Sequence, residues 1–281
     1  MNKSSQEKID DIFVQCSNKS ESAAGTADFT GISSIFWPIL DNSLSLVDLA
    51  GVFAIAGSQS AKLDLILFSE FFNGVARVKF PTGSDYREKL LDNFTSVKSM
   101  KIQVDSSSSS FTKAMDRNVI KVLLKFDISL RRAFCSFAGK NISVGGNLTW
   151  DEVKKKSITM ELDGFVAFCT FFSVVPGSLS VSEVETIVKT VLKSYPLGGS
   201  AVTLNSAILY PQFQLLMCLL GAEKHEAAAK KRGAAASSSQ AKAPANSASK
   251  PFQFARKQGG EEARSLTNML SDLLKKMGMH F

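Results

Sequence analysis

The sequence predicts an all-α protein built from two helical modules. Apolar residues recur at helical spacing through most of the first 221 residues. Phenylalanine supplies most of the aromatic side chains, with 21 Phe against 2 Trp and 3 Tyr, which suits a core made by helices packing on helices. Stretches rich in Gly and Ser separate the helical patterns. A chain of 281 residues has room for two such modules.

The first module is expected over residues 1–95 and the second over residues 119–221, with a Ser-rich linker at 96–118 between them. In the first module, helical faces and one short apolar strand are predicted at Ile9–Cys16, Ile32–Ile39, Leu46–Phe53, 65–67 (the strand) and Phe68–Val75. In the second module, helical patterns recur at 119–138, 149–156, 160–172, 180–193 and 208–221.

One arrangement occurs in both modules: a helix, a loop, a short apolar strand and a helix rich in apolar residues. The first copy extends from Leu44 to Val75 and the second from Leu179 to Met217. Two helices joined by a loop that contains a short strand are the outline of an EF-hand. The predicted fold is therefore two EF-hand-like modules with short loop-pairing strands.

Neither repeated loop carries the ligands of a calcium site. Such a loop needs oxygen ligands at positions 1, 3, 5 and 12, Gly at position 6 and an apolar residue at position 8. With Ile66 at position 8 of the first copy, Glu70 is its one carboxylate ligand. With Ile208 at position 8 of the second copy, Gln212 takes position 12 and no carboxylate remains. The sequence predicts that both loops have lost calcium binding.

A third loop, NISVGGNLTWDE, leaves two interpretations open. It keeps Gly146 at position 6, and its weak candidate ligands are Asn141, Ser143 and Glu152. In the alternative interpretation, a Gly turn precedes a helix capped by Thr149, and Glu152 completes a capping box three residues later. The first interpretation leads to a calcium-responsive adaptor, and the second gives this loop a purely structural role.

The chain shows no recognisable catalytic motif. It contains no P-loop, no GxGxxG, no HExxH and no GxSxG sequence, and its two histidines, His225 and His280, lie in the C-terminal tail. The cysteines are far apart in apolar helical patterns, which predicts buried reduced thiols at Cys16, Cys135, Cys169 and Cys218. We therefore expect a non-enzymatic protein without a cofactor.

The tail carries most of the net charge of +7. Residues 222–281 contain 11 Lys and Arg against 5 Asp and Glu, which favours an acidic partner surface. Residues 222–260, rich in Ala, Ser and Lys, are expected to be a basic disordered linker. Residues 261–281 are predicted to form an amphipathic helix, whose apolar stripe is Leu266, Met269, Leu270, Leu273, Leu274 and Met277. This stripe would dock in a partner's groove or pack on the chain's own modules, with Phe252 and Phe254 as further anchors.

A resemblance to a known family adds a functional expectation. Its frame consists of spaced apolar positions, namely Met160, Phe165, Cys169, Val174, Val175, Ile208, Leu209, Tyr210 and Phe213. This frame resembles the core of the p25-alpha (tubulin polymerisation-promoting) family, and residues 165–184 are similar to degenerate EF-hand proteins of cilia and flagella. The resemblance implies an EF-hand-like helical fold and tubulin binding.

Together these observations predict a structural protein of the microtubule cytoskeleton, in the axoneme of a cilium or flagellum. Its partners would be tubulin, the microtubule or other axonemal proteins, and its location the cytoplasm. No specific nucleic-acid binding is expected, and no run of 18 apolar residues predicts a membrane span. The alternatives are the calcium-responsive adaptor and a cytosolic adaptor unrelated to tubulin.

Overall fold

The computed structural model describes residues 3–20, 25–57, 61–99, 109–138, 148–197, 207–221, 267–268 and 270–279. These residues are mostly helical, which confirms the all-α prediction. The helices of this described part are α1 (Ser5–Lys19), α2 (Phe29–Phe36), the 3-10 helix η1 (Trp37–Ile39), α3 (Leu46–Gly57), α4 (Leu65–Lys79), α5 (Tyr86–Ser99), α6 (Ser109–Ala114), α7 (Arg117–Ala138), α8 (Trp150–Lys156), α9 (Leu162–Phe171), α10 (Val181–Ser194), α11 (210–221) and α12 (267–268 and 270–276). Within this described part, no helix has the length and apolar character needed to cross a membrane.

The first module joins two helix–loop–helix halves through a pair of short strands. Strand β1 (Ala27–Asp28) pairs antiparallel with β2 (Lys62–Leu63), with Ala27 opposite Leu63. Each strand leads directly into a helix capped by an aspartate, because Asp28 accepts a hydrogen bond from a backbone N–H of α2 and Asp64 accepts one from α4. The helices α1–α2 and α3–α4 are thereby held in register with each other.

The second module repeats this plan. Strand β3 (Met160–Glu161) pairs antiparallel with β4 (Ala207–Ile208), with Met160 opposite Ile208. The predicted strand position of Ile208 is therefore confirmed. Strand β3 leads into α9 and β4 into α11, while the short helix α8 is inserted between α7 and β3.

The predicted strand at residues 65–67 is wrong. These residues form the first turn of α4, and the strand lies just before them, ending at Leu63. Asp64 decides the boundary because its side chain caps the helix. A three-residue apolar run fits a strand and a helix equally well, so its pattern could not separate the two. Ile66 consequently does not occupy the strand position, and Glu70 does not occupy the last ligand position of that loop.

Two glycines hold the equivalent helices of the modules at close distance. Gly31 in α2 and Gly164 in α9 each lie three residues after their strand. A Cβ atom at Gly31 would lie 2.3 Å from the carbonyl oxygen of Cys16, and one at Gly164 would lie 2.9 Å from that of Phe137. Helix α2 thus packs against the end of α1, and α9 against the end of α7, at a separation that excludes a side chain.

Aromatic rings fill the centres of both modules. Phe36 lies edge-on to rings from α4 and α5, namely Phe68, Phe71, Phe72 and Phe94. Phe213 in α11 occupies the corresponding centre of the second module and meets Phe134, Phe165, Phe168 and Tyr210. Edge-to-face packing of this kind adds to the stabilisation from burial alone. The abundance of Phe in the sequence therefore reflects two similar ring clusters within one continuous core.

Buried polar groups join the two modules. The guanidinium of Arg131 in α7 lies 3.0 Å from the Asp48 carboxylate in α3. The side chain of Asn42, which precedes α3, donates to the carbonyl of Ile158 at 2.6 Å and accepts from the backbone N–H of Tyr210 at 2.9 Å. Because buried polar groups are costly to leave unpaired, these bonds fix the orientation of one module on the other.

Part of the predicted linker is folded into this interface. Residues 109–114 form α6, and Phe111 is fully buried. Its ring stacks on Tyr195 at 5.2 Å between centroids and meets Trp37 edge-on at 5.7 Å. The linker interpretation of 96–118 is therefore wrong for α6, for residues 96–99, which end α5, and for residues 117–118, which begin α7, and residues 100–108 lie outside the described part of the chain.

Candidate partner-binding surface

Helix α7 presents an unusual outward face. Its inward side is apolar and buried, as its periodicity predicts. On its outward side, Leu124, Ile128, Arg132 and Ser136 follow one another at four-residue spacing, so they form a single stripe. Ile128 is 69% exposed, and Leu124 is also exposed. Two large apolar side chains in contact with solvent on one helix face are a typical feature of a protein-binding surface.

A cavity of about 510 Å³ lies on one side of this stripe, between α7 and the start of α8. Ile128 and Arg132 line one wall, and Leu148 and Trp150 line the other. The guanidinium of Arg131 lies 4.6 Å from the centre of the Trp150 ring, a cation–π contact that fixes the indole. This wall is therefore rigid and partly apolar.

The buried side of Arg131 explains why that wall is rigid. Its guanidinium forms a 2.6 Å ion pair with Asp127, one turn earlier, and reaches Asp48 in the first module. The Tyr210 hydroxyl donates to Asp127 at 2.9 Å. Burial raises the pKa of Asp127 even though the charge of Arg131 acts in the opposite direction. Burial also raises the pKa of the Tyr210 hydroxyl, so it remains a neutral donor. These groups hold α7 in place because they form hydrogen bonds and ion pairs with one another.

A second cavity, of about 560 Å³, lies on the other side of the stripe. It is lined by residues of α7, by the end of α9 and by the end of the C-terminal segment, which include Phe137, Phe171, Phe172, Met277 and Met279. Phe171 is 72% exposed, although its ring contacts those of Phe137 and Phe172 at 5.8 Å and 5.0 Å between centroids. The exposed ring is therefore supported from beneath by two others.

Arg132 and Ser136 line both cavities, which makes them one continuous surface. We call this the α7 surface and define it by Ile128, Arg132, Ser136, Leu148, Trp150, Phe171 and Met279. An exposed cation lies at its centre, with apolar side chains on both sides. Exposed aromatic and aliphatic anchors around an arginine are the composition found at the centres of protein interfaces.

The C-terminal stripe, predicted to dock on a partner, instead lies within the protein. Leu270, Leu273, Leu274 and Met277 are all buried in the common core. Helix α12 crosses the end of α11, where a Cβ at Gly221 would lie 3.5 Å from the Cα of Leu270. Of the two placements that the sequence leaves open, the described structure has the stripe packed on the chain's own second module. The remaining predicted docking residues, Phe252, Phe254, Leu266 and Met269, lie outside the described residues.

The weak metal ligand Glu152 is a helix cap. One of its carboxylate oxygens accepts hydrogen bonds of 2.9 Å from both the backbone N–H and the hydroxyl of Thr149. The Thr149 hydroxyl in turn accepts from the Glu152 N–H, so the predicted capping box is formed. The backbone bond from Thr149 is the main reason that the pKa of Glu152 is lowered. Asn141 and Ser143 lie outside the described residues. Among the residues that the structure describes, no group of three or more His, Cys, Asp or Glu could hold a metal ion.

The four cysteines are free and buried, as predicted. Burial raises the pKa of Cys169 and of Cys218 to about 12, and it also raises the pKa values of Cys16 and Cys135. Thiols with such pKa values are poor nucleophiles at neutral pH because the thiolate is scarcely populated. Their burial indicates that they contribute to packing.

Sequence reasoning did not find the α7 surface. The spacing of Leu124, Ile128 and Arg132 on the polar side of an amphipathic helix was a detectable signal. Phe171 gave none, because it belongs to the same Phe-rich run as the buried Phe168. No protein family model, curated protein or solved structure matches this chain. Its function must therefore be inferred from its own residues and their geometry.

Proposed function

We propose that the protein is a non-enzymatic docking scaffold of the microtubule cytoskeleton. The observation that carries this proposal is the α7 surface, where the exposed side chains of Ile128 and Phe171 flank Arg132 on a rigid helical body. The microtubule as partner follows from the resemblance of residues 160–221 to the p25-alpha family. The axoneme as location follows from the similarity of residues 165–184 to EF-hand-like proteins of cilia and flagella.

The scaffold itself is proposed to consist of two EF-hand-like modules. Each module has two helix–loop–helix halves whose short strands pair antiparallel, as in paired EF-hands. The apolar residues that face each other in these pairs are Ala27 with Leu63, and Met160 with Ile208. Such pairing gives each strand residue the role of position 8 in an EF-hand loop, which supports the proposal for all four halves.

This register supports a fold that no longer depends on calcium. Position 12, the bidentate glutamate of a calcium loop, is then Gly31, Leu67, Gly164 and Gln212. Gly31 cannot be larger because the carbonyl of Cys16 occupies the space. Gln212 uses its side chain for internal bonds, accepting from the Leu209 N–H at 3.0 Å and donating to a carbonyl at 3.2 Å. Hydrogen bonds and close packing therefore replace the cation.

Co-sedimentation of the full-length protein with microtubules tests the proposal. We expect the wild type to pellet with microtubules and the double variant Ile128→Glu/Phe171→Glu to bind at least about tenfold more weakly. The control variant Ile55→Glu/Ile66→Glu changes two equally exposed apolar residues of the first module, at 82% and 74% exposure. It should bind like the wild type. Absence of pelleting, or equal weakening by both variants, would contradict the proposal.

The calcium-responsive adaptor is the competing candidate, and calorimetry with calcium separates the two. Glu152→Gln is the suitable variant because Gln preserves the capping box while removing the charge. We expect no micromolar calcium binding to the wild type. Micromolar binding that is abolished in Glu152→Gln would favour the adaptor and would make the scaffold calcium-dependent.

A further inference from the structure

The first module carries a groove of its own, far in sequence from the α7 surface. It lies between α1 and α5, above α2 and η1, and encloses about 500 Å³. Its apolar lining residues are Ile12, Ile35, Pro38, Leu91, Phe94 and Val97, and the other seven lining residues are polar or charged. Ile35 and Phe94 are half-buried side chains at the edge of the core. An occupant that covered them would remove further apolar area from water, which is the main driving force for association.

The rim of this groove is basic. Lys8 and Lys19 line it from α1 and Lys98 lines it from α5, and all three are exposed. Asp11 is the one carboxylate among the lining residues, and it is ion-paired with Lys3 at 2.5 Å. The net charge that faces an occupant is therefore positive. Complementary charge at the rim of an apolar groove selects an acidic partner and speeds its association.

One wall of the groove is about as long as a short helix. Its α1 wall extends from Lys8 to Lys19, a rise of about 16 Å, which corresponds to about three helical turns. The wall consists of residues at helical spacing, with Ile12 and Gln15 between the two lysines. A helix with apolar residues at i, i+3, i+4 and i+7 fits a groove of this length and composition.

The chain's own amphipathic helix does not match this groove. Helix α12 already buries its apolar stripe on the second module. Its exposed face carries Lys275 and Lys276 against the single carboxylate of Asp272, so its charge has the same sign as the rim. Residues 222–281 as a whole carry 11 Lys and Arg against 5 Asp and Glu, the same sign of charge as the rim, so charge complementarity favours another molecule as the occupant.

We propose that the groove between α1 and α5 binds an acidic amphipathic helix of a partner protein. Apolar residues of that helix would cover Ile35 and Phe94, and its carboxylates would meet Lys8, Lys19 and Lys98. This assignment goes beyond the proposed function, since it gives the protein a second docking site on the module that does not contain the α7 surface. A scaffold with one site on each module can hold two partners at a fixed separation.

A synthetic peptide tests this directly with the full-length protein. The probe is a helix of about 14 residues with Leu at the apolar positions and Glu elsewhere, and the matched probe has Lys in place of Glu. Fluorescence anisotropy should show binding of the Glu peptide and at least about tenfold weaker binding of the Lys peptide. Equal binding of the two peptides, or no binding of the Glu peptide, would overturn the assignment.

Charge reversal of the rim locates the site. Lys8→Glu/Lys19→Glu/Lys98→Glu should weaken binding of the Glu peptide at least about tenfold. The control reverses three exposed lysines of the second module, Lys155, Lys156 and Lys193, and should leave binding unchanged. An equal effect of both triple variants would show a non-specific attraction and would overturn the proposal.

A steric variant keeps the test independent of charge. Thr95 is exposed and lines the groove, so Thr95→Trp should fill it without disturbing the core and should abolish peptide binding. Peptide binding that persists in Thr95→Trp would overturn the assignment. Displacement of the peptide by dodecanoate would instead identify an acyl-chain site. A dimer in sedimentation velocity that dissociates in the rim variant would identify a second copy of this chain. Either of these last two results would also overturn the proposal.

The two docking sites can be tested separately. Ile128→Glu/Phe171→Glu should leave binding of the Glu peptide unchanged, because both substitutions lie on the second module. The rim variant Lys8→Glu/Lys19→Glu/Lys98→Glu should leave co-sedimentation with microtubules unchanged, because its three substitutions lie on the first module. If the peptide test alone fails, the groove proposal is wrong and the microtubule proposal stands. If co-sedimentation alone fails, the microtubule proposal is wrong and the groove proposal stands.

Discussion

Each module adds one helix to its two helix–loop–helix halves, and the two modules obtain this fifth helix, not counting the inserted α8, from different parts of the chain. In the first module, α5 begins six residues after α4, across residues 80–85, and packs on it. In the second module, α12 is separated from α11 by the 45 residues 222–266 and still buries its stripe beside α11. A helix packs where its apolar stripe meets a complementary apolar surface. The number of residues that separate the helix from this surface along the chain changes mainly the entropy lost when the helix docks.

The size of that entropic difference can be estimated. Closing a loop of 45 residues instead of 6 costs about 2 kcal/mol more, if the cost grows with the logarithm of loop length. Helix α12 should therefore be the less firmly held of the two fifth helices. Comparing the two modules gives three predictions about stability, in order of decreasing expected effect.

The largest effect is expected from truncating a fully buried leucine in each fifth helix. Leu90→Ala in α5 should lower the free energy of unfolding by about 3 kcal/mol, since it removes apolar contacts and leaves a cavity. Leu274 is equally buried in α12. The loss for Leu274→Ala should be smaller, because it cannot exceed the free energy of docking α12. Urea unfolding measures both, and an equal or larger loss for Leu274→Ala would show that the two helices are held alike.

A smaller effect compares the glycines that separate the helices. Gly31→Ala should lower the free energy of unfolding by about 2 kcal/mol, because the new methyl group meets a backbone oxygen and helix α2 must shift. Gly164→Ala should cost less, since its nearest oxygen is farther away, at 2.9 Å against 2.3 Å. Thermal unfolding of the two variants gives the order. A larger loss of stability for Gly164→Ala than for Gly31→Ala would mean that α9 packs more tightly against α7 than α2 does against α1.

The smallest effect concerns two capping glutamates, one in the first turn of α1 in the first module and one in the first turn of α10 in the second. Glu7 in α1 and Glu183 in α10 complete capping boxes with Ser4 and Ser180, and the backbone bond from the serine is the main cause that lowers the pKa of each glutamate below 4.5. The folded state therefore binds fewer protons than the unfolded state in this range. The stabilisation is present above about pH 4.5 and is lost as the pH falls through the lowered pKa.

NMR titration of the side-chain carboxyls measures these pKa values directly. Glu183→Gln should preserve the cap and remove its share of the pH dependence. A pKa at or above the ordinary value for Glu183 would mean that the capping box is not populated in solution.

Most helices could be predicted from the sequence, but α5 and α6 were missed, and the surfaces on which the helices pack could not be predicted. Periodicity located the stripe of α12 because an amphipathic pattern is local, whereas the surface that it covers is assembled from α7, α9 and α11. The capping box at Thr149 and Glu152 was visible because it depends on a three-residue spacing. The strand before α4 was misplaced because a short apolar run has no period of its own. Exposure of Phe171 beside buried phenylalanines depends on the tertiary packing, which a linear pattern does not contain.

Amide hydrogen exchange of the full-length protein at residues 270–276 tests the central claim most directly. That claim is that α12 completes the second module and leaves the α7 surface as the docking site. The account predicts that these amides exchange slowly, with an opening free energy of a few kcal/mol, below that of α11. Exchange at the rate of an unstructured chain would contradict it and would return the Leu270–Met277 stripe to the role of a free docking segment.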